Sequence, residues 1–307
     1  MKGRILKLLR AENDVVSGET LSSQLGISRV SIWKHIKKLR EFGYDIQATP
    51  KGYRLVDDPD IPYPWELGNR ELKVHYFDEV TSTMDVAGNL ARNNSPHFTV
   101  VIAGRQSKGR GRLQRTWLSS QGGLYFTVIL RPKIPPTFIS RVNFAASMIL
   151  ARTLNNLFLI NARVKWPNDI LVNEKKVAGV LSEMEAETDR VRFINIGMGV
   201  NVNNDPTSRE PMAVSLKKIM GRNISKKKLL SRFLDEFENR LNRNSTLDNV
   251  ISEWKTYSVT MGRQVKIVTA HNEFKGIAMD VDNTGALMLK LADGSIKEII
   301  YGDCFHT

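Results

Sequence analysis

The first 56 residues carry apolar side chains at helical spacing in three successive segments. Isoleucine and leucine recur over residues 5–9, and Leu21 and Leu25 follow Ser17. A third set, after Ser28, comprises Val30, Ile32, Ile36, Leu39 and Phe42, which the spacing assigns to a buried helix face. Ser17 and Ser28 are good helix caps, so a helix, a tight turn and a second helix are predicted. Two β-rich segments on either side of residues 50–52 then predict a hairpin, which completes a winged helix-turn-helix.

Beyond residue 70 the pattern changes to short apolar runs and longer amphipathic segments. The runs at 74–77, 99–103, 122–130 and 191–197 predict strands, and helical spacing predicts helices at 141–154 and after Ser225. From Val259 onward, alternating segments separated by glycine turns predict a small β domain. Residues 57–64 contain three prolines and three acids, a composition typical of a stiff linker.

These patterns predict an α+β, multidomain chain. We expect a winged helix-turn-helix at 1–60, a proline-rich linker at 61–70, a mixed α/β domain at 71–256 and a β domain at 257–307.

Composition and charge limit the class of protein. The chain has 307 residues with 41% hydrophobic side chains, which excludes a disordered chain, and a net charge of +13, which predicts a polyanionic partner. Cys304 is the only cysteine, so no intrachain disulfide or cysteine-based zinc site can form. We find no signal-peptide core and no long apolar run, so a cytoplasmic protein with no membrane partner is expected.

The third predicted helix has the charge of a DNA-binding element. Residues 28–40 contain five basic side chains and no acid, so like charge would not repel phosphate from its outer face. The candidates for contact with DNA are Ser28, Arg29, Ser31, Lys34, His35 and Lys38. The alternative is a winged helix that binds only protein.

Residues 104–117, GRQSKGRGRLQRTW, form the most unusual stretch of the chain. They place four arginines, one lysine and three glycines directly after a predicted strand. Guanidinium groups offer paired donors to phosphate or carboxylate, and glycines let the backbone approach a ligand. The stretch is neither a Walker A motif nor a Rossmann fingerprint. It predicts an anion site, with a solvated basic loop as the alternative.

A second motif makes the first one more specific. Residues 165–169 read KWPND, and residues 176–183 read KVAGVLSE. Together with GRGRLQRTW, and in this order, they resemble the signatures of biotin–protein ligases. The resemblance covers residues 74–201 and extends more loosely to both ends of the chain. It implies a central domain of the biotin/lipoate ligase type and an SH3-like β-barrel at the C-terminus.

The resemblance also implies roles for individual residues. The implied biotin contacts are Ser82, Thr83, Met84, Gln106, Gly109, Arg110, Gly111, Arg112, Lys176 and Gly179. The implied ATP contacts are Arg110, Arg112, Arg115, Trp117, Lys165, Asn168, Lys176 and Asn201. Lys176 and Arg112 are the expected catalytic residues, and Asp169 is a candidate ligand for Mg²⁺. One of Ser82 and Thr83 is expected to cap a helix instead of facing ligand.

Two departures from the family pattern affect these expectations. Met84 stands where some members have asparagine, which removes one polar contact. Gln114 stands where the second motif usually has glycine, so a positive φ there is less favourable.

The function implied by the resemblance is ATP-dependent activation of biotin to biotinyl-5′-adenylate, followed by transfer to a lysine of a biotin carboxyl-carrier protein. The winged-helix members also repress biotin genes as a ligand-promoted homodimer on operator DNA. The alternative is a ligand-sensing regulator that binds biotin or its adenylate without efficient transfer. The polyphosphate contacts favour the enzyme, because a sensor would not need them. The lipoate ligases share the fold but lack this pair of motifs.

Overall fold

The computed structural model describes residues 1–12, 14–187, 190–208, 210–243 and 246–307. By its internal contacts the chain divides into two units, Met1–Val74 and His75–Thr307. Within the described ranges, the helices are all too short or too polar to cross a bilayer.

The first unit is a winged helix-turn-helix, as predicted. Its helices are α1 (Lys2–Glu12), α2 (Gly18–Leu25) and α3 (Arg29–Glu41), and its hairpin consists of β1 (Asp45–Thr49) and β2 (Gly52–Asp57). The Ser17 hydroxyl accepts a hydrogen bond from the Thr20 amide at 2.9 Å, and the Ser28 hydroxyl accepts one from the Ser31 amide at 3.2 Å. Gly26 ends α2 with a left-handed φ of 66°. These caps fix where α2 ends and α3 begins.

Val30 is a correction to the predicted core. The side chains of Ile32, Ile36 and Leu39 are buried, but Val30 is 63% exposed. Val30 precedes Leu39 by nine residues, about two and a half helical turns, so the two side chains lie on opposite sides of α3.

The proline-rich segment folds back on the first unit. Two short 3-10 turns, Pro64–Glu66 and Gly68–Lys73, follow β2. The ring of Trp65 lies 4.8 Å from those of both Tyr63 and Phe42, measured between centroids. The Tyr44 hydroxyl donates a hydrogen bond to Glu66. The exact boundaries of the predicted domains remain a prediction.

A seven-stranded sheet organises the second unit. The strands are β3 (Val74–Val80), β4 (Thr99–Gln106), β5 (Leu124–Leu130), β6 (Ala162–Lys165), β7 (Asp169–Val172), β8 (Lys175–Glu187) and β9 (Arg190–Val200). Their order across the sheet is β3-β4-β5-β9-β8-β7-β6. The pairs from β4 to β6 are antiparallel, and Gly179 on β8 lies opposite Gly199 on β9. These paired glycines leave the centre of the sheet without side chains on one face.

Helices cover both faces of this sheet. They are α4 (Thr83–Arg92), α5 (Ile139–Phe158), α6 (Leu216–Met220), α7 (Lys226–Arg243) and α8 (Val250–Tyr257). Ala87 and Ala91 of α4 pack on Val101, Ile129 and Phe193. On the opposite face Phe233 of α7 lies 5.5 Å from Phe126, and α5 packs against both α7 and α8.

The C-terminal residues form a second antiparallel sheet. Its strands are β10 (Gln264–Val268), β11 (Glu273–Val281), β12 (Leu287–Lys290), β13 (Ile296–Ile299) and β14 (Asp303–His306), in the order β13-β12-β11-β10-β14. The predicted small β domain is therefore confirmed. In the part of the chain that the structure describes, β13 and β14 remain edge strands, so the barrel is not closed. The Trp166 indole donates to the Gly285 carbonyl at 3.1 Å, which ties this domain to the seven-stranded sheet.

Candidate active site

A cavity of about 460 Å³ opens over the glycine face of the seven-stranded sheet. Its walls come from the N-terminus of α4, the segment after β4, the strands β7 to β9, and β14 of the C-terminal domain. It brings together these predicted residues: Ser82, Thr83, Met84, Gln106, Arg110, Gly111, Arg112, Arg115, Trp117, Asn168, Asp169, Lys176, Gly179 and Asn201. All but two of the predicted biotin and ATP residues thus line one cavity.

The N-terminus of α4 is held by a hydrogen-bond network. The Ser82 hydroxyl caps the helix by accepting from the Met84 amide at 3.2 Å. The side-chain oxygen of Gln106, Oε1, accepts from the Thr83 amide at 2.7 Å and from the Thr83 hydroxyl at 3.0 Å. Thr83 in turn accepts from the Thr127 hydroxyl at 2.9 Å. Ser82 is therefore the cap, as expected for one of the two hydroxyls, and Thr83 locks α4 to β4 and β5.

Met84 fills a space that glycine provides on β9. A Cβ atom at Gly197 would lie only 2.5 Å from the Met84 sulfur. The thioether therefore rests directly on the backbone of the sheet, where it forms an apolar edge of the cavity.

Trp117 covers the paired glycines at the centre of the sheet. A Cβ atom at Gly199 would lie 2.3 Å from the indole Cε2, and one at Gly179 would lie 3.1 Å from Cζ3. The Lys176 ammonium lies 5.2 Å from the centroid of the ring. The indole Nε1 is buried and has no partner among the described residues. Trp117 thus forms a rigid aromatic wall beside the principal basic residue.

Three basic side chains of the cavity are paired with carboxylates. Arg110 lies 2.9 Å from Glu183 and 3.1 Å from Asp85. The remaining pairs are Lys176 with Asp169, at 2.6 Å, and Arg115 with Asp303, at 2.5 Å. The structure therefore satisfies these cations with internal anions, which an anionic ligand can replace.

Arg112 is held differently from the other arginines. Its guanidinium donates to the Gly302 carbonyl at 3.2 Å and makes a longer contact, 3.4 Å, with the Asn168 side chain. Burial lowers the pKa of Arg112, and the nearby carboxylates of Asp303 and Asp169 oppose that shift. Because it is partly desolvated and faces no carboxylate at hydrogen-bond distance in the described residues, Arg112 is suited to act on a developing negative charge.

The turn after Arg112 takes a backbone conformation that favours glycine. Leu113 has a φ of 51° and Gln114 a φ of 60°. Gln114 therefore adopts the positive φ although it lacks the freedom of the glycine usual in this motif, at a cost of about 1–2 kcal/mol.

A second segment lies along the start of β8. The Lys176 amide donates to the Met212 carbonyl at 2.8 Å, and the Val214 amide donates to the Lys176 carbonyl at 2.9 Å. This pairing brings Glu210 and Ala213 to the cavity wall. Asn201 is buried, and its side-chain oxygen accepts from Asn204 at 3.0 Å.

Two predicted residues do not line the cavity. Gly109 lies behind the wall, where its carbonyl accepts from the Trp117 amide at 2.9 Å. The Lys165 ammonium lies 5.9 Å from the centroid of the Phe305 ring, on the C-terminal domain. Direct roles for Gly109 and Lys165 stay predictions.

Comparisons with known proteins agree with this architecture. Residues 75–201 match the Biotin/lipoate A/B protein ligase family, residues 3–54 match an HTH domain, and residues 260–307 match the Biotin protein ligase C terminal domain. The chain is 36% identical over 308 residues to the Bifunctional ligase/repressor BirA of Bacillus subtilis (strain 168), covering 96% of this chain and 94% of that protein. The chain belongs to the BirA family.

Other relatives of this BirA-family chain support the assignment. The Bifunctional ligase/repressor BirA of Escherichia coli (strain K12) is 30% identical, with coverage of 96% of this chain and 94% of that protein. A solved structure of the biotin protein ligase from Aquifex aeolicus, in complex with biotin and ATP, superposes with a TM-score of 0.66 at 28% identity. It covers 76% of this chain and 99% of that one. The resemblance to biotin–protein ligases is confirmed, and the chain is a ligase and a repressor in one polypeptide.

Several residues of the BirA-family cavity were not predicted from the sequence. Asp303 comes from a strand far along the chain, and no local signal connects it with Arg115. Glu183, the partner of the cavity residue Arg110, could have been found, because Gly179, Leu181 and Glu183 alternate on one face of a strand. Gly197 and Gly199 share the same alternation in IGMGVN, which indicates a face open to a ligand.

Proposed function

We propose that this cavity binds biotin and ATP together and forms biotinyl-5′-adenylate. The observation that carries the proposal is that one cavity joins the residues implied for biotin to those implied for ATP. Its volume of about 460 Å³ lies in the range typical of small-molecule sites.

The first step brings two anions together. A biotin carboxylate oxygen attacks the α-phosphorus of ATP, the new P–O bond forms, and the bond to pyrophosphate breaks. Lys176 bridges the carboxylate and the α-phosphate, and Arg110 and Arg115 hold phosphate oxygens once their carboxylate partners give way. Fixed cations lower the barrier because they need no reorganisation as charge develops. No general base is required, because the carboxylate is already ionised.

The second step transfers the biotinyl group to a carrier protein. A neutral lysine amine of the biotin carboxyl-carrier domain attacks the acyl carbon, AMP leaves, and the amine loses a proton to solvent. The adenylate is a mixed anhydride that water would hydrolyse. The segment 104–117, which forms one wall of the cavity, shields it until the amine arrives.

Asp169 is the residue that would hold Mg²⁺ when the nucleotide is bound. The described residues contain no cluster of three or more metal-ligating side chains, and Asp169 offers the cavity a single carboxylate that pairs with Lys176. Mg²⁺ commonly binds one or two carboxylates together with substrate phosphates, so Asp169 fits as one ligand. The ion would shield the phosphate charge, and the side chains of the cavity would position the substrates.

The repressor role uses the winged helix-turn-helix. A single unit reaches one half-site, so specific binding requires a homodimer on a two-fold operator. The adenylate promotes that dimer if the dimer-competent state binds it more tightly. We place the protein in the cytoplasm, where its substrates, its DNA target and a reduced Cys304 coexist.

The test replaces Lys176 and compares it with its neighbour. Lys176→Ala should lower adenylate formation by a factor on the order of 10²–10³ and change biotin affinity by less than about tenfold, because the lost contact acts mainly on the transition state. Lys175→Ala removes an exposed lysine one residue away and should leave both quantities unchanged. Adenylate is followed by mass spectrometry and biotin binding by calorimetry.

Two results would contradict the proposal. Adenylation by Lys176→Ala at the wild-type rate would remove Lys176 from the reaction. Wild-type protein that binds biotin but forms no adenylate with ATP and Mg²⁺ would instead be a ligand sensor.

A further inference from the structure

Helix α3 exposes two large apolar side chains on its outer surface. Val30 is 63% exposed and Trp33 is 53% exposed. The opposite side of the helix supplies the core residues, so packing within the first unit does not account for Val30 or Trp33. Isolated apolar side chains on a surface are common, but this pair lies on the helix that the fold devotes to DNA.

The two side chains belong to one stripe of the helix. Val30 and Trp33 are three residues apart. Lys34 follows Val30 by four residues, and Lys37 follows Trp33 by four residues, so the four side chains are neighbours on one face of the helix. The Lys37 ammonium lies 5.8 Å from the centroid of the Trp33 ring. The stripe, which we call the outer face, is defined by Val30, Trp33, Lys34 and Lys37.

Charge identifies the partner of the outer face. The helix has no acid before Glu41, and Glu41 is neutralised by Lys38 at 2.8 Å. Basic side chains beside an apolar pair fit a surface that offers phosphates at its rim and apolar groups at its floor. The major groove of duplex DNA is such a surface, because thymine presents a C5-methyl group there.

Position along α3 supports the same partner. Val30 is the second residue of the helix, two residues after the Ser28 cap, and Trp33 lies about one turn later. In helix-turn-helix proteins the N-terminal residues of the second helix contact base edges. Phosphate contacts by basic residues supply affinity that depends little on sequence. An apolar pair at this place supplies what they lack, which is discrimination among bases.

We propose that Val30 and Trp33 read thymine methyl groups in the major groove and so set the sequence preference of this repressor. Lys34 and Lys37 hold the flanking phosphates. The proposal rests on the repressor role and adds the base that is read and the side chains that read it.

The experiment uses uracil, which differs from thymine only by the missing methyl group. Full-length protein with biotin, ATP and Mg²⁺ selects duplexes from a randomised pool, and each thymine of the selected sites is then replaced by uracil. At one or two positions in each half-site, uracil should weaken binding about 3- to 20-fold. At the other positions the change should stay below about twofold.

Four variants connect this effect to the outer face. Trp33→Ala and Val30→Ala should each bind thymine and uracil duplexes equally at the positions that they read. Leu72→Ala, which removes an exposed apolar side chain of the same unit away from α3, should keep the full discrimination. Lys37→Ala should weaken both duplexes alike and reduce the salt dependence of binding by about one phosphate contact. Thermal unfolding of each variant, followed by circular dichroism and compared with the wild type, checks that its first unit is folded.

The outcomes separate this proposal from the repressor role. If no duplex is selected while adenylation proceeds, the repressor role fails and the proposal fails with it. If duplexes are selected but uracil is tolerated everywhere, or if Trp33→Ala and Val30→Ala keep the discrimination, methyl reading is overturned and the repressor role stands. A change of oligomeric state in Trp33→Ala without any thymine effect would assign the outer face to contact between two copies of the chain.

Discussion

A methyl group at Gly199 would test whether the aromatic wall of the cavity must rest on the sheet. In Gly199→Ala, the new Cβ would lie 2.3–2.8 Å from the Cε2, Nε1 and Cζ2 atoms of Trp117. Carbon atoms in contact are ordinarily separated by about 3.5–4.0 Å, so the indole has to move by roughly 1 Å or more. A rigid ring cannot absorb this by bending, and Trp117 must therefore shift into the cavity.

The size of the effect follows from the cost of overpacking. Inserting a methyl group into a packed site costs about 1–3 kcal/mol. If the cost is expressed as weaker substrate binding, it corresponds to an increase of about 5- to 150-fold in KM, since about 1.4 kcal/mol equals a factor of ten. The increase should fall mainly on ATP, for which Trp117 is the proposed wall.

The assay is the initial rate of pyrophosphate release at varied ATP and varied biotin. Gly197→Ala is the matched control, because it lies two residues away on the same face of β9 and its new Cβ would meet the flexible end of Met84. Its KM for ATP should change by less than about threefold. Adding Trp117→Phe to Gly199→Ala should recover part of the loss, since the smaller ring relieves the clash. Two results would refute this prediction. One is an equal increase of the KM for ATP in Gly199→Ala and Gly197→Ala, and the other is a KM that does not fall when Trp117→Phe is added to Gly199→Ala.

Three further predictions concern the network at α4, the two units and the cysteine. Thr83→Val should raise the KM for biotin more than that for ATP and lower the Tm by several degrees, because it leaves the buried Thr127 hydroxyl without its acceptor, at about 1–3 kcal/mol. Calorimetric unfolding and rate measurements check this, and an unchanged Tm would contradict it. A chain limited to residues 75–307 should form adenylate at a rate within about threefold of the full-length chain and should lose DNA binding in a titration at fixed salt. Retained DNA binding would show that the first unit is not the DNA-binding element. Burial raises the pKa of Cys304 to about 12. The thiol should therefore react slowly with a disulfide reagent at pH 8, and faster when the pH rises or the chain unfolds. Rapid labelling of the folded protein at pH 8 would be inconsistent with that burial.

The features that local chemistry decides could be predicted from the sequence. Serine caps at positions 17, 28 and 82 form because a hydroxyl satisfies a free amide wherever a helix begins. The β-rich segments and glycine turns likewise gave the hairpin of the first unit and the C-terminal sheet. The predicted burial of Val30 is wrong, because an offset of nine residues from Leu39 places the two side chains on opposite faces of the helix.

The residues that line the cavity could mostly be predicted from the sequence, but the carboxylates that pair with its basic side chains could not. Motif residues identified which side chains gather around the cavity, yet the carboxylates opposite Arg110 and Arg115 come from other elements, which are helix α4 and the strands β8 and β14. Asp303 reaches Arg115 only because the C-terminal domain docks on the seven-stranded sheet. Gln114 shows the same limit, since its positive φ is imposed by the loop around it and not by its own preference.

The carboxylates paired with Arg110, Arg115 and Lys176 also act as built-in competitors for small anions. Each is attached to the same chain as its cation and is therefore present at a high effective concentration, commonly in the millimolar range or above for tethered groups. A free phosphate ion that displaces one of them gains a single contact and loses another, so little net affinity remains. Only a ligand that replaces several carboxylates at once recovers their combined free energy. The cavity is thereby selective for an extended polyanion over the inorganic phosphate that surrounds it.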